Sequence, residues 1–199
     1  SYWTVPQKGL VNPHPHSVYT ELGQGVSDAM EIQEIGIAPR PFQNPHPQIY
    51  GGFSASMRTA KFWAKYRGKP IVMASDLDFL KTLWDTYRKE AEEKYNYTPT
   101  PGDEAAWGGL MICAKTDNEA EQLAHDMKWF WEKWAVPFGQ PFPEMLFGSP
   151  DTLNKRIEQA SKAVDINEMF LIIPQGLHNR DEVLTSLELF GEKVIPNFS

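Results

Sequence analysis

The sequence is poor in cysteine, in long apolar segments and in net positive charge. Its single cysteine, Cys113, lies in an apolar run and has no second cysteine for an intramolecular disulfide, which fits a reducing compartment and predicts a cytoplasmic protein. No apolar run approaches the roughly 18 residues that a membrane helix needs, and no signal peptide opens the chain, so no membrane partner is expected. The net charge of −7 opposes a phosphate backbone, so nucleic acid is not an expected partner.

Several common catalytic motifs are also missing. The sequence has no P-loop, no GxSxG, no paired GxGxxG and no HExxH, so kinases of the P-loop type, common serine hydrolases, classical dinucleotide dehydrogenases and zincins gain no support. His14, His16 and His46 stand among prolines without a cluster of cysteines or carboxylates beside them. We therefore predict no metal site.

What the sequence does have is a change of pattern near residue 48. The 199 residues suffice for one large domain or two small ones. Residues 1–48 hold much of the proline and show little periodicity, which predicts loops and short extended pieces. From residue 49 to 199, short apolar runs alternate with longer amphipathic ones.

The apolar runs predict four strands, near 49–52, 71–74, 110–114 and 169–173. The last three contain no polar alternation, which is typical of strands covered on both faces, as in a parallel sheet. The stretch 135–148, AVPFGQPFPEMLFG, is predicted to be a long aromatic loop.

Each run is followed by a predicted helix with a recognisable start. Asp78 stands at the third helical position after Ser75, Thr116 and Glu119 form one capping-box pattern, and Asn179 and Glu182 form another. Ser149-Pro150 opens a further helix with proline at its favoured first position. Strands that alternate with helices indicate an α/β fold.

The turn after the first strand, Gly51-Gly52-Phe53-Ser54-Ala55-Ser56, admits two interpretations. Glycine lets the backbone approach a ligand closely, and a helix N-terminus offers free amides and the positive end of a dipole, so the turn is suited to an anion, with Arg58 near in sequence. The other interpretation is a tight turn in which Ser56 is an ordinary N-cap.

Four segments in order resemble the bacterial-luciferase-like flavin monooxygenases. They are PRPFQNPHPQIYGGFSAS, GGLMICAKTDNEAEQLA, GSPDTLNKRIEQASKAVDINEMFLIIPQG and TSLELFGEKVIPNF, and the likeness covers nearly all of residues 36–198. The resemblance implies a (β/α)₈ TIM-type barrel that uses reduced FMN, supplied by a separate flavin reductase, and oxygen to oxidise a small organic substrate. Some relatives use a deazaflavin instead.

The resemblance also implies where the flavin phosphate would bind, at the positions that follow barrel strand five. Those positions in this chain are Gly52, Phe53, Ser54, Ala55 and Ser56. A deazaflavin-dependent oxidoreductase and a non-catalytic flavin-binding subunit remain alternative functions.

The four predicted strands correspond to strands five to eight of that barrel. The chain is therefore expected to be its C-terminal half, and a companion chain or N-terminal fragment is expected to supply strands one to four. Because a half-barrel leaves two strand edges unpaired, we also expect a dimer or higher oligomer. Activity is expected only in combination with the missing half, which would hold most of the catalytic residues.

Other candidate site residues have a functional and a structural interpretation. His178 and Arg180 follow the last predicted strand, where such barrels perform chemistry, or are exposed loop residues beside an N-cap. Trp129, Trp131 and Trp134 have helical spacing, which favours packing against the barrel wall or a partner subunit. Cys113 is predicted to pack in the core and not to act as a nucleophile.

Overall fold

A computed structural model of the chain describes residues 7–11, 25–35, 41–44, 46–52, 56–139, 143–173 and 179–198. The chain divides into two compact units, Ser1–Pro47 and Gln48–Ser199. In the first unit, isolated antiparallel bridges join Val11 to Glu31 and Val26 to Ile32. The Gly9 amide donates to Glu31 Oε1 at 2.7 Å, which ties the ends of this short extended structure together.

The second unit is an α/β structure built on one parallel sheet. Its described strands are β1 (Tyr50–Gly51), β2 (Lys69–Val72), β3 (Ala106–Cys113), β4 (Met145–Gly148) and β5 (Met169–Ile172). Its helices are α1 (Met57–Tyr66), α2 (Leu77–Tyr95), α3 (Asp117–Phe130), α4 (Pro150–Ala163) and α5 (Arg180–Lys193). A π-helical turn, Trp131–Ala135, and a 3₁₀ turn, Val136–Phe138, extend α3.

Strand β3 is the centre of the sheet. It pairs with β2 and β4 along one edge and with β5 along the other, and β1 pairs with β2. Every pair is parallel, as the continuous apolar runs predict. Thus β1, β2, β3 and β5 are successive neighbours across the sheet.

Three details of the predicted strands are wrong. The strand predicted near 71–74 is β2, Lys69–Val72, which begins and ends two residues earlier. Residues Met145–Gly148 are not loop but form β4, which pairs with Leu110–Cys113; four residues beside a proline-rich stretch carry too weak a local signal. Strand β3 begins four residues before the predicted start, because Gly108 and Gly109 interrupt the apolar run. A Cβ on Gly108 would lie 1.8 Å from the Phe170 carbonyl oxygen, so these glycines admit a neighbouring backbone.

The sheet separates two apolar clusters. Trp107, Met111 and Cys113 of β3 pack with residues of α1, α2, α4 and α5. The alternate residues of β3, Leu110 and Ile112, pack with α3. This alternation follows from the two-residue side-chain period of a strand.

The helix starts largely follow the sequence signals. Ser56, Thr116, Ser149 and Asn179 are N-caps whose side chains accept a backbone amide, and Asn179 and Glu182 form a reciprocal capping box. The predicted start of α2 is wrong by one residue, because Asp76 is the N-cap and accepts from Asp78 and Phe79. In the described part of the chain, no helix combines the length and apolarity needed to cross a membrane.

Candidate functional site

One tryptophan packs helix α1 against β1 and the start of β2. Trp63 of α1 occupies the space beside Gly51 and Gly68, since a Cβ on those glycines would lie 2.0 Å and 2.4 Å from its ring atoms. The two glycines therefore let α1 pack closely on β1 and on the start of β2. This packing holds the N-terminus of α1 directly after β1.

Ser56 is the N-cap of α1, as one of the two interpretations predicts. Its Oγ accepts from the Thr59 amide at 3.2 Å and lies 2.8 Å from Thr59 Oγ1. An α-helix leaves its first amides without intrahelical acceptors, here those of Met57 and Arg58. The cap therefore leaves donors available for an anion, so the two interpretations are compatible.

The first turn of α1 differs in charge from those of the other described helices. Those of α2, α3, α4 and α5 each contain at least one acid, whereas the first turn of α1 contains none. Acids in a first turn complement the helix dipole. The first turn of α1 instead contains Arg58. The positive end of this helix dipole therefore has no negative side chain from the helix itself.

Gly52 is exposed and has open space around it. A Cβ there would meet no atom of the described structure within 4 Å. The geometry thus accommodates a ligand at this end of β1. Three of the five predicted phosphate positions, Phe53, Ser54 and Ala55, lie outside the described residues.

The candidates after the last strand are only partly described. His178 lies outside the described residues, and Arg180 is the exposed first residue of α5. Within the described structure, no hydrogen bond joins Arg180 to Gly52 or Ser56. The grouping of these candidates into one site therefore stays a prediction.

The structural interpretation is confirmed for Cys113 and for Trp131. Cys113 is 1% exposed, and burial raises the pKa of its thiol to about 11, so the thiolate is disfavoured at neutral pH. Trp131 packs against the α3 cluster, whereas Trp129 and Trp134 are about half exposed. His14 and His16 lie outside the described residues, and the described ones contain no group of three potential metal ligands.

A cavity of about 520 Å³ opens at the carboxyl end of β3, between α3 and α5. Its walls include Lys115, Gln122, Asn179 and Thr185. Active sites of barrel folds lie at this end of the strands. The sequence analysis missed this cavity, because its walls come from two helices that are far apart in the chain.

A polar cluster that the sequence analysis also missed lies at the amino ends of the strands. Lys69 Nζ donates to Asp103 Oδ1 at 2.8 Å and to Glu168 Oε1 at 2.5 Å, and the Tyr50 hydroxyl donates to Glu168 Oε2 at 2.6 Å. Burial alone would lower the pKa of Lys69, but its bonds to Asp103 and Glu168 outweigh burial and raise it. No local pattern could reveal this cluster, because its bonded residues lie 34, 99 and 118 positions apart in the chain.

The cluster also shifts the pKa values of Tyr50 and Glu168, which are hydrogen-bonded to each other. Donation to Glu168 raises the pKa of Tyr50. Burial opposes ionisation of Glu168, but the bonds from Lys69 and Tyr50 outweigh it and hold the pKa of Glu168 below its usual value. The cluster is thus an ionised network at the end of the sheet opposite to the predicted phosphate site. Residues at that end of barrel folds usually contribute to stability.

Comparison with known proteins finds no matching family model. The chain is 26% identical over 150 residues to 3,6-diketocamphane 1,6-monooxygenase of Pseudomonas putida, covering 62% of this chain and 39% of that protein. The structure of the oxygenating constituent of that monooxygenase, a type II Baeyer-Villiger monooxygenase in complex with FMN, matches with a TM-score of 0.64 at 22% identity. That match covers 77% of this chain and 50% of the other.

The resemblance to luciferase-like flavin monooxygenases is confirmed. A third likeness is to the coenzyme F420 dependent tetrahydromethanopterin reductase of Methanopyrus kandleri, with a TM-score of 0.50, 18% identity, and coverage of 75% of this chain and 50% of that one. At these identities the solved structures show a common α/β fold with a parallel sheet. The chain spans about half the length of these structures and 39% of the curated relative.

Proposed function

We propose that the chain is the C-terminal half, strands five to eight, of a (β/α)₈ barrel that acts as an FMN-dependent monooxygenase. The observation that carries the proposal is the match to a diketocamphane monooxygenase over only part of that protein's length. The succession of β1, β2, β3 and β5 as parallel neighbours supports it, because consecutive strands of such a barrel are neighbours. In this assignment β4 is an additional strand beside the carboxyl half of β3.

The FMN phosphate would bind at Gly52–Ser56. The first-turn amides of α1 would donate to it, the Arg58 guanidinium would add positive charge, and Gly52 would let the backbone approach. The absence of an acid from the first turn of α1 and the open space at Gly52 both fit an anion of this kind. Bound reduced FMN would supply the electrons with which oxygen is activated.

The chain's own contribution to catalysis would be to bind the cofactor and to shield its surroundings from water. The apolar residues of α3 and of the carboxyl half of β3 lie at the same end of the strands as the phosphate site. Because these residues are buried against one another, they would keep water out of this end of the sheet. The catalytic residues themselves are proposed to lie in the missing half.

A companion chain or N-terminal fragment would supply strands one to four. Among the described strands, β1 and β5 each pair on one edge only. Their free edges would pair with the outer strands of the companion and close the sheet, which removes edges that would otherwise favour aggregation. A flavin reductase and a small organic substrate remain the other proposed partners.

A deazaflavin-dependent oxidoreductase is the alternative function, favoured by the likeness to the F420 dependent reductase. Parallel titrations of the assembled protein with FMN and with coenzyme F420 separate the two. Oxygen uptake in the presence of a flavin reductase then separates a monooxygenase from a non-catalytic flavin-binding subunit. Uptake that never exceeds the background of reductase and free flavin would contradict the monooxygenase.

The first experiment is intact-mass analysis of the purified material under denaturing conditions. A second polypeptide of comparable size would support a two-part barrel. A single species with the mass of this chain would contradict the proposal of a companion polypeptide. The phosphate site is tested separately, with the Gly52→Val variant of the assembled protein.

Gly52→Val should leave the fold intact, since a Cβ at Gly52 has open space, and should weaken FMN binding by about tenfold, which corresponds to about 1.4 kcal/mol. Gly191→Ala, at an equally open glycine in the last turn of α5, is the matched control and should bind FMN like the parent. Equal FMN affinity for both variants, measured by fluorescence titration, would place the phosphate elsewhere.

A further inference from the structure

A second cavity opens at the amino ends of β2 and β3, at the end of the sheet opposite to the predicted phosphate site. Its volume is about 230 Å³, and the charged residues in its walls are Arg67, Lys69 and Asp103. Two cations and one carboxylate give these walls a net charge of +1, in a chain whose net charge is −7. A cavity with positively charged walls favours anionic ligands.

Arg67 is the cation of this cavity that has no acidic partner. Its Cζ lies over the Tyr97 ring, 4.5 Å from the ring centroid. Within the described part of the chain, its guanidinium takes part in no ion pair and in no hydrogen bond. A guanidinium that lies over a ring keeps N–H groups that can donate to a carboxylate or phosphate. Tyr97 therefore positions Arg67 for a ligand that accepts hydrogen bonds.

The other free polar groups of the cavity are also mostly donors. The ammonium of the buried Lys69 donates to Asp103 and Glu168, and because an ammonium has three hydrogens, one N–H has no acceptor among the described residues. Thr98 and Thr100 add two hydroxyls that make no hydrogen bond within the described structure. A ligand rich in acceptors would satisfy these groups.

Asp103 limits the charge of such a ligand to about one. Its carboxylate lies in the wall of the cavity, and Glu168, which also binds Lys69, adds a further negative charge nearby. A dianion would be repelled by both carboxylates, whereas a monoanion balances the net charge of the walls. The ligand must also be small, because the cavity is below the roughly 300–1,000 Å³ of typical ligand sites.

The walls of the cavity are held by hydrogen bonds outside it. The Tyr97 hydroxyl donates to the Ala64 carbonyl at 2.6 Å. In the loop 98–103, the Pro101 carbonyl accepts from Asn167 Nδ2 at 2.7 Å, and the fully buried Glu104 anchors the end of the loop. The site is therefore formed before any ligand binds, which reduces the entropy cost of binding.

We infer that this cavity binds a small monocarboxylate, whose carboxylate accepts hydrogen bonds from Arg67 and Lys69. The remaining atoms of the ligand would contact the Tyr97 ring and the threonine hydroxyls. This inference does not depend on flavin binding or on the companion that would close the barrel. It uses residues at the amino ends of the strands, whereas the proposed FMN site lies at the carboxyl end of β1.

Titrations of the purified protein with propionate, propionamide and inorganic phosphate test the ligand class. The amide resonances of Gly68, Thr98 and Thr100 are followed by nuclear magnetic resonance at about pH 8, where phosphate is mostly a dianion. Propionate should bind at least about tenfold more tightly than propionamide, which has a similar shape without the charge. Phosphate should bind more weakly than propionate, because it faces Asp103 with a second negative charge.

Two glycine variants test the role of Arg67. Arg67 and Asn96 are the C-caps of α1 and α2, both in the left-handed conformation with φ of 53° and 52°, and Asn96 does not line the cavity. Arg67→Gly should bind propionate at least about tenfold more weakly than the parent, whereas Asn96→Gly should bind it equally well. Neither variant should melt at a lower temperature than the parent, since glycine suits this conformation best.

Asp103→Asn tests the sign of the charge effect. It should bind propionate at least about threefold more tightly than the parent, because it removes a negative charge from the wall. No saturable binding of propionate to the parent would overturn the inference. Equal affinity for propionate and propionamide, tighter binding of phosphate than of propionate, or equal propionate affinity of the two glycine variants would also overturn it.

Discussion

The hydroxyl of Tyr50 donates a hydrogen bond of 2.6 Å to Glu168, 118 residues later in the chain. Tyr50 belongs to β1 and Glu168 directly precedes β5, the two strands at opposite ends of the succession β1, β2, β3 and β5. Lys69 at the start of β2 binds the same carboxylate from between them. These side chains therefore meet at the amino end of the sheet, although β2 and β3 separate β1 from β5.

Lys69 should be the residue on which this cluster most depends. It is 7% exposed and lies between two carboxylates that are partly exposed. We expect Lys69→Met to lower the free energy of unfolding by about 2 to 3 kcal/mol, less than for a fully buried pair because solvent screens the carboxylates. Tyr50→Phe should cost only about 0.5 to 1 kcal/mol, since Glu168 keeps its bond to Lys69. Urea denaturation of both variants tests the order, and equal losses would contradict it.

Arg88 should be needed to hold the fully buried carboxylate of Glu104. Its guanidinium donates through Nε at 2.9 Å and through Nη2, and the Gly102 amide donates to the other oxygen at 2.8 Å. We expect Arg88→Met to cost about 3 to 5 kcal/mol, because the buried charge loses its cation. Adding Glu104→Gln to that variant should recover part of the loss, which a double-mutant cycle in urea would measure. Simple additivity of the two losses would show that the pair is not coupled.

Gly108 is predicted to tolerate no side chain. A Cβ there would lie 1.8 Å from the backbone oxygen of Phe170 in β5, and a backbone atom cannot move aside as a flexible side chain would. Gly108→Ala should destabilise the second unit by about 3 kcal/mol or more. Gly191→Ala is the control, because its Cβ has open space within α5, and it should stabilise the protein by about 0.5 to 1 kcal/mol. Thermal unfolding of both variants tests this contrast.

Asp117 should make the stability depend on acid pH. The Ser149 amide donates to Oδ1 at 2.7 Å and Thr152 Oγ1 donates to Oδ2 at 3.0 Å, and these bonds at the start of α4 hold the pKa of Asp117 below its usual value. A carboxyl whose pKa is lower in the folded state stabilises that state above its unfolded pKa, about 3.9, and the stabilisation is lost as the pH falls through the folded value.

Asp117→Asn should therefore lower the urea midpoint at pH 7 and have a smaller effect at a pH below the lowered folded-state pKa of Asp117, where the carboxyl is neutral in both the folded and the unfolded protein. Measurements of the midpoint between these two pH values test the sign. Asp151→Asn, in the first turn of α4, separates loss of a local negative charge from loss of the bonds to Ser149 and Thr152. An effect of Asp117→Asn that is constant with pH would contradict the role of its ionisation.

Local signals predicted several parts of this structure correctly. Ser56, Thr116, Ser149 and Asn179 are N-caps because a serine, threonine or asparagine side chain can accept a first-turn amide whatever the rest of the fold does. The strands with continuous apolar residues were recognised for a similar reason. The resemblance to flavin monooxygenases depended on the order of such segments, and it too is confirmed.

Signals that depend on a distant partner were missed. Strand β4 is four residues long and is a strand only because β3 lies beside it. Asp76, and not Ser75, caps α2, since both residue types are good caps and the path of the chain selects between them. The cavity between α3 and α5 has walls from two distant parts of the chain, so no local pattern could reveal it.

The sequence by itself determined the alternation of strands and helices, the continuous apolar strands and most of the helix N-caps, because these depend on residue types within one short stretch. Only the tertiary structure decided which strands are neighbours and that Tyr50, Lys69 and Glu168 meet. Those relationships join residues from about 20 to more than 100 positions apart, and long-range packing alone brings such residues together.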